Sequence, residues 1–315
     1  MKKAIIVGHS GQDGTYLSQL LQKKKYQLIG LSSKQAVATL KKKIAPVKIT
    51  DSRAVNNLIR REQPDEIYFL AAVHQSSSDK DSDEGSLFRK SIEINLMAPV
   101  NFLESIRLYS PHTRLFYAAS SHVFGKPETT MQDEHTPFAP DCIYGTTKTA
   151  GIHSCRYYRE QHGVFACAGI FYNHESPLRP SNFVSKKIVE AAVSIKKKKQ
   201  SELVLGNLKA KIDWGYAPDY MDAAWRMMKL PAASDFIISS GEIHTVKDFV
   251  QGVFEHVGLS WTNYVREDRT LITKKPKDNL FGNNHKLTEA TGWTPKVDFN
   301  RLIQIMVNAE LKKYE

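Results

Sequence analysis

The sequence predicts an α/β protein: a doubly wound parallel sheet with a smaller mixed α/β lobe. Three observations predict it. An apolar run, Ala4 to Val7, leads straight into a glycine-spaced turn. Apolar strands and amphipathic helices then alternate through the first half, the pattern of repeated βα units. The second half is less regular, with no internal repeat and no low-complexity linker. At 315 residues the chain has room for one such unit and a second lobe.

Lys3–Val7 reads as the first strand, Gly8–Gly14 as the turn, and Tyr16–Leu21 as the start of a helix with apolar side chains at helical spacing. Tyr26–Leu31 is a second strand and Val47–Thr50 a third, with Asp51 placed to cap the next helix. Glu66–Leu70 is a fourth strand, Ile92–Leu108 a helix with a sustained apolar period, Arg114–Ala118 a fifth strand and Val164–Phe171 a sixth. Further on, Phe183–Ile195 reads as a helix. Thr245-Val246-Lys247-Asp248 forms a capping box ahead of Phe249, Val250, Val253 and Phe254. Trp293 and Pro295 mark a turn, and Leu302–Leu311 is a closing helix. The expected division places 1–173 in a nucleotide-binding domain, with return segments over about 206–245, and 174–205 with about 246–315 in the substrate lobe.

Apolar residues make up 41% of the chain and charged residues 24%, which suits an ordinary soluble domain. The three cysteines, Cys142, Cys155 and Cys167, form no CxxC pair and no metal-ligand cluster, so no metal is expected and a reducing cytoplasm is. No apolar run is long enough to span a bilayer, and no membrane partner is expected. The formal charge is +11, with lysines grouped at Lys23–Lys25, Lys41–Lys43 and Lys196–Lys199. No helix-turn-helix, zinc finger or aromatic RNA-binding signature accompanies them, which argues against a nucleic-acid partner. A basic surface also helps an anionic diphosphate to arrive.

Gly8-His9-Ser10-Gly11-Gln12-Asp13-Gly14 has GxxGxxG spacing between a strand and a helix. Small residues there let the backbone turn tightly and approach a pyrophosphate, which the helix N-terminus attracts. This is a Rossmann-type dinucleotide site. Its candidate contacts are Gly8, Ser10, Gly11, Gln12, Asp13 and Gly14, Ser32 and Ser33 after the second strand, and Leu70, Ala71 and Ala72 after the fourth. Gly30-Leu31-Ser32-Ser33-Lys34 offers neither an acidic residue for a ribose hydroxyl nor an arginine for a 2′-phosphate. Ser32, Ser33 and Lys34 can hold a phosphate or form a solvated loop.

Tyr144-Gly145-Thr146-Thr147-Lys148 is a YxxxK motif, and residues four apart share a helix face. A lysine ammonium and a nicotinamide cation near a tyrosine favour its phenolate. That phenolate can take a proton from a substrate hydroxyl as hydride moves to the cofactor. Tyr144 and Lys148 therefore count as catalytic and cofactor-contacting residues together. Ser120 and Ser121 close the fifth strand, where such sheets bind ligands, and one of their hydroxyls can hold the substrate oxygen.

With these residues in place the chain resembles an extended short-chain dehydrogenase/reductase, and more narrowly the GDP-mannose 4,6-dehydratase family, over nearly its whole length. The resemblance rests on Gly8–Leu17, Ala118–Gly125, Tyr144–Lys148, Phe171–Pro177, Phe183-Val184 and Val204–Tyr220, with Asn173-His174-Glu175-Ser176-Pro177 the most discriminating. It implies oxidation at C4 of a sugar, loss of the C5 proton to a glutamate, loss of water from C6 and return of hydride to C6. The position of that glutamate is His122 here. His122 can replace it as acid/base, mark an enzyme that stops at C4 chemistry, or have no chemical role. The expected function is NAD(P)-dependent oxidoreduction at C4 of a GDP-linked manno-configured hexose or heptose, with dehydration weak or lost. The alternatives are a 4,6-dehydratase using His122 and a non-catalytic dinucleotide-binding regulator. Intact Ser120, Tyr144 and Lys148 count against the regulator.

The resemblance also implies substrate contacts at Asn173, Glu175, Lys187, Val204, Gly206, Asn207 and Lys274, while Lys186 reads as surface charge. Arg179 matches one of a family pair of basic residues, and Ile212 stands where the family has an arginine. The family's arginine-rich insertion, tied to NADP and tetramers, is cut to the short Ser32–Ala45, which has no arginine. A homodimer using NAD(H) in preference to NADP(H) is expected.

Overall fold

A seven-stranded sheet forms the centre of the computed structural model, which describes residues 1–32, 36–38, 47–74, 83–271 and 280–315. In chain order the strands are β1 (Lys3–Val7), β2 (Gln27–Leu31), β3 (Ala36–Ala38), β4 (Glu66–Phe69), β5 (Arg114–Ser120), β6 (Ala166–Phe171) and β7 (Asn173–Glu175). They continue as β8 (Leu203–Leu205), β9 (Lys211–Ile212), β10 (Trp214–Tyr216), β11 (Asp235–Ile238), β12 (His244–Thr245) and β13 (Val265–Glu267). The helices of the first half are α1 (Gln12–Lys23), α2 (Ser52–Glu62), α3 (Glu84–Ile92), α4 (Ala98–Tyr109) and α5 (Ile143–His162). Those of the second are α6 (Val184–Lys196), α7 (Ala217–Met227), α8 (Val246–His256), α9 (His285–Thr291) and α10 (Phe299–Leu311).

The sheet order is β11-β6-β5-β4-β1-β2-β3, parallel except for β3, which runs antiparallel to β2. The chain winds outward from β1 in one direction and from β4 in the other. The crevice at the carboxyl ends of these two strands is the switch point where such sheets take ligands. Alternate side chains of a strand face opposite sides. Ile5 and Val7 accordingly join Ile67, Phe69, Leu115 and Tyr117 beneath α2, α4 and α5, where Val55, Leu58, Phe102, Ile106 and Ile152 are buried. Ala4 and Ile6 join Tyr68 and Phe116 on the other face, against Leu17 and Leu21 of α1, Tyr220 and Met221 of α7, and Leu287 and Trp293.

Val47–Thr50 is not the expected third strand. The edge of β2 is already taken by β3, and 47–50 instead turns, with the Asp51 amide donating to the Lys48 carbonyl. Val47 and Ile49 still pack on the core, which explains their apolar pattern. Asp51 caps α2 as expected, accepting from the amides of Arg53 and Ala54. Ile92–Leu108 is also not one regular helix. A π-helical turn, Glu93–Met97, lies between α3 and α4, just ahead of Pro99, which lacks an amide proton.

The second lobe is built on α6, α8 and α10 around Ile188, Val189, Phe249, Val253, Leu302 and Met306, with Leu203 and Leu205 of β8. Lys186 is no surface charge. It is buried, and its ammonium donates to the Glu310 carboxylate at 2.7 Å, tying α6 to α10. Among the described residues no helix is long and apolar enough to cross a membrane.

Asp213, buried between β9 and β10, accepts from the Ser240 amide at 2.8 Å and the Ser240 hydroxyl at 2.7 Å. Burial nevertheless raises its carboxyl to about 6. The folded chain therefore holds this proton more tightly than the unfolded chain, and stability falls as pH rises from the unfolded value through about 6. Asp213→Asn keeps an oxygen acceptor and removes the charge. It is expected to stabilise the fold by on the order of 2 kcal/mol at pH 7.5 and to gain nothing at pH 4. Thermal melts of both proteins across that range check this.

Candidate active site at the β1–β4 crevice

The glycine-spaced turn begins where β1 ends. Gly8 has φ +93°, its amide donates to the Leu31 carbonyl at 2.8 Å, and a Cβ there would sit 2.7 Å from the Ala71 nitrogen. Only glycine fits. Gly11 caps α1 without a side chain, so the first amides of α1 are left for an outside acceptor. A Cβ on Gly11 would meet only the Gly8 oxygen, at 3.4 Å, so the space beside the helix end is open. An anion of pyrophosphate shape fits there. Ser10 is exposed, and Leu70 and Ala72 line the neighbouring cavity. Ser32 is half-buried after β2; Ser33 and Lys34 lie outside the described residues, as do Lys274 and Lys275.

Gln12 and Asp13 face the Asn173–Pro177 loop. The Gln12 amide donates to the His174 carbonyl at 3.2 Å and its oxygen accepts from the Ser176 hydroxyl at 2.7 Å. His174 Nε2 lies 3.1 Å from both Asp13 oxygens, with Nδ1 2.9 Å from the Tyr172 carbonyl oxygen. Burial opposes both charges. The mutual attraction outweighs it, holding the Asp13 carboxyl below and the His174 imidazole above their usual ranges. The dinucleotide loop and the candidate sugar loop are thus joined by an ion pair and two hydrogen bonds.

A cavity of about 200 Å³ opens beside this junction. Ser120, Ser121, His122, Tyr144, Lys148 and Asn173 all line it, so the sequence-predicted reactive residues converge. Gly145 makes that possible, because a side chain there would run into the His122 carbonyl. The Ser120 hydroxyl accepts from the His122 amide at 3.4 Å and acts to lower the Tyr144 phenol, which singles out Ser120 as the serine of the pair placed to act on the tyrosine. Desolvation raises the Tyr144 phenol well above its ordinary value, against a smaller lowering by Ser120. Lys148 is buried, and its ammonium donates to the Ala118 carbonyl at 2.6 Å, 5.7 Å from the Tyr144 ring centre. Burial lowers it to about 7.

His122 packs edge-on to Tyr144, ring centres 5.7 Å apart, and its Nδ1 lies 3.7 Å from the Cys142 sulfur. Two further residues that bear on this wall, His74 and Asn95, were missed in the sequence. His74, a few residues beyond β4, stands edge-on to Tyr144 at 4.8 Å. Asn95, in the π-helical turn, clamps Val73 from both sides, accepting from its amide at 2.8 Å and donating to its carbonyl at 3.1 Å. Arg179 covers the Phe183 ring at 3.6 Å and lines the cavity. The rule that ligands gather at strand ends could have flagged His74; nothing local marks Asn95.

The expected substrate contacts divide. Asn173 lines the cavity. Glu175 does not; it is buried, accepts from the Ser185 hydroxyl at 2.6 Å and pairs with Arg179 at 3.1 Å, so its carboxylate is occupied in joining β7 to α6. Lys187 is brought to Val204, donating to its carbonyl at 3.1 Å, beside Gly206 and Asn207. None of these four lines the cavity.

A Rossmann sheet, a glycine turn at its switch point and a Ser-Tyr-Lys set at the next strand end define an enzyme of the short-chain dehydrogenase/reductase type. A family model for GDP-mannose 4,6 dehydratase matches residues 5–306. GDP-mannose 4,6 dehydratase 2 of Arabidopsis thaliana is 35% identical, covering 99% of this chain and 87% of the relative. The human GDP-mannose 4,6 dehydratase is 30% identical, covering 98% and 91%. The chain belongs to the GDP-mannose 4,6-dehydratase family. Solved structures share the fold at lower identity. RMD from Pseudomonas aeruginosa, complexed with NADPH, superposes with TM-score 0.83 at 17% identity over 99% of this chain and 100% of that one. The UDP-glucose 4-epimerase of Thermotoga maritima gives 0.85 at 17%, also over 99% and 100%.

The raised His174 gives a signed expectation. Its contribution to stability is complete below the unfolded value of about 6.5 and is lost as pH rises through the folded one. The depressed Asp13 contribution is lost as pH falls through its folded value. Melting temperatures between pH 6 and 9 should therefore decline more steeply for the wild type than for His174→Asn. Parallel curves would remove the ion pair from the account.

Proposed function

We propose that this protein oxidises C4 of a GDP-linked manno-configured sugar through Tyr144, and then eliminates water across C5–C6 with His122 as base. The observation that carries this reading is the meeting of Ser120, His122, Tyr144 and Lys148 on one cavity beside the glycine turn. The match to the GDP-mannose 4,6-dehydratase family favours dehydration over its weakening or loss, and His122 lies on the cavity wall against Tyr144. A histidine without chemical duty has no need of that placement.

A nicotinamide dinucleotide on the Gly8–Gly14 turn supplies the hydride acceptor and later donor. Gly8, Gly11 and the first amides of α1 hold its pyrophosphate, and Leu70 and Ala72 shape the wall toward the cavity. NAD(H) is the proposed form, on the shortness of Ser32–Ala45 and its lack of an arginine for a 2′-phosphate. Ser120 orients the O4 hydroxyl and Tyr144 takes its proton. Burial opposes the phenolate and the Lys148 ammonium alike, so the tyrosine charges only when a cation is brought alongside. This restricts proton transfer to the assembled site. His122 then takes the C5 proton, made acidic by the C4 ketone. Lys187, Val204, Gly206 and Asn207 are proposed to meet the nucleotide, with Lys274. Cys142, Cys155 and Cys167, none of them in a disulfide, support a cytoplasmic setting.

Purified protein given GDP-mannose, and separately a GDP-manno-heptose, tests the reading by product mass and reduced-cofactor absorbance. Loss of one water without net cofactor reduction is expected. Loss of two hydrogens with stoichiometric reduced cofactor would restrict the enzyme to C4 oxidation. No conversion of either would reject the substrate class. Tyr144→Phe should lower turnover by about 10²–10⁴-fold while retaining cofactor binding.

A homodimer is proposed through α4, the π-helical turn ahead of it and α5, where Leu108, Met97 and Tyr157 are 44%, 46% and 54% exposed. Apolar side chains on neighbouring helices suit a self-complementary contact. Light scattering should give twice the chain mass, and Leu108→Asp with Tyr157→Asp should give the monomer.

A further inference from the structure

We propose that His74 is a second proton-transfer residue of this site, donating the proton with which the C6 hydroxyl leaves as water while His122 holds the proton taken from C5. The inference rests on the dehydratase reading above and adds a residue to it.

His74 lines the same cavity as His122 and Tyr144. Its ring is 4.8 Å from Tyr144 and 6.1 Å from His122, perpendicular to both, and stacks on Phe183 at 5.8 Å. The Asn95 clamp on Val73 fixes the backbone from which it projects. Three proton-active rings therefore share one wall.

The chemistry calls for two groups on neighbouring atoms. Once C4 is a ketone, the C5–H bond breaks toward a base, its electron pair forms C5=C6, and the C6–O bond breaks. Hydroxide is a poor leaving group, so that oxygen must receive a proton as it departs. His122 lies on the cavity wall against Tyr144, where its imidazole can exchange a proton with a substrate. Having taken the C5 proton there, it must stay protonated, by that proton or by one exchanged with solvent, until hydride returns to C6 and C5 is reprotonated. A separate donor at C6 relieves it of a conflicting task. Rings 6.1 Å apart between centres suit substituents on adjacent carbons.

Exposure assigns the roles. His122 is half-buried and His74 is exposed, so His74 can be recharged from solvent. The balance closes: hydride moves from C4 to C6, His122 borrows and returns the C5 proton, and His74 gives one proton to the departing oxygen. The O4 proton passed to Tyr144 and released replaces it. The sugar loses one water in total.

The test uses His74→Gln, His74→Asn and His122→Gln with GDP-mannose in deuterated water, reading deuterium at C5 and loss of water separately, with melts and cofactor affinity as checks on folding. His122→Gln should lose both C5 exchange and dehydration. The His74 variants should retain C5 exchange while dehydration falls by about 100-fold or more. Dehydration within a few-fold of wild type in either folded His74 variant overturns the proposal. So does loss of C4 oxidation along with dehydration, which would make His74 a support for Tyr144. A wild-type enzyme that never releases water would instead overturn the dehydratase reading, and this inference with it.

Discussion

The site depends on how closely two strand ends can approach at the switch point. Gly8 leaves β1 with φ +93°, and there is no room for a Cβ between it and Ala71 beyond β4. Separating them would move the first turn of α1 away from the β4 end. Gln12 and Asp13 sit in that turn, and through His174 and Ser176 they hold the Asn173–Pro177 loop. One steric constraint thus sets the cofactor turn, and hydrogen bonds carry the setting to the candidate sugar loop.

A second chain of causes begins at Pro99. Its missing amide frees the Asn95 carbonyl, which accepts from the Tyr117 hydroxyl at 2.7 Å. The Asn95 side chain is left to hold Val73 and to donate to the Thr147 hydroxyl, inside the YxxxK motif, at 3.1 Å. The β4 end and the helix bearing Tyr144 are therefore referenced to one buried amide. A π-helical turn in a long helix here has an assignable function, consistent with the frequent use of such turns near sites.

What was legible in the sequence is what depends on local pattern. The strands β1, β2, β4, β5 and β6 are apolar runs, and the glycine turn and YxxxK carry their own spacing. Ser120, Tyr144 and Lys148 could be brought together from the strand-end serines and the YxxxK spacing, and His122 from the family resemblance. What was not legible depends on partners distant in sequence. Val47 and Ile49 are apolar because they cover a core, and their apolarity does not distinguish a strand from a packed turn. Lys186 looks like a surface lysine until Glu310, 124 residues away, is placed against it. Glu175 looks like a ligand-binding acid until Ser185 and Arg179 occupy it. His74 and Asn95 needed the fold before either could be tied to Tyr144.

The exchange of a family glutamate for His122 has an electrostatic consequence. Tyr144 is already disfavoured as a phenolate by burial and, less strongly, by the Asp13 carboxylate, with Ser120 and Arg179 acting the other way. A carboxylate on the adjoining wall would oppose the phenolate again, since like charges at short range raise an acid. A neutral imidazole adds no negative charge there and still has a nitrogen able to take a proton near neutral pH. It changes the order of charge in the cycle, because the imidazole becomes positive on receiving the C5 proton where a glutamate would become neutral. In the proposed elimination that positive charge would arise in the same step as the negative charge of the C4 enolate. In a small, partly buried cavity such a pairing is worth more than in water. On the proposed reading the elimination is compatible with an imidazole base, with the stabilisation moved from the ground-state base to the intermediate that the base creates.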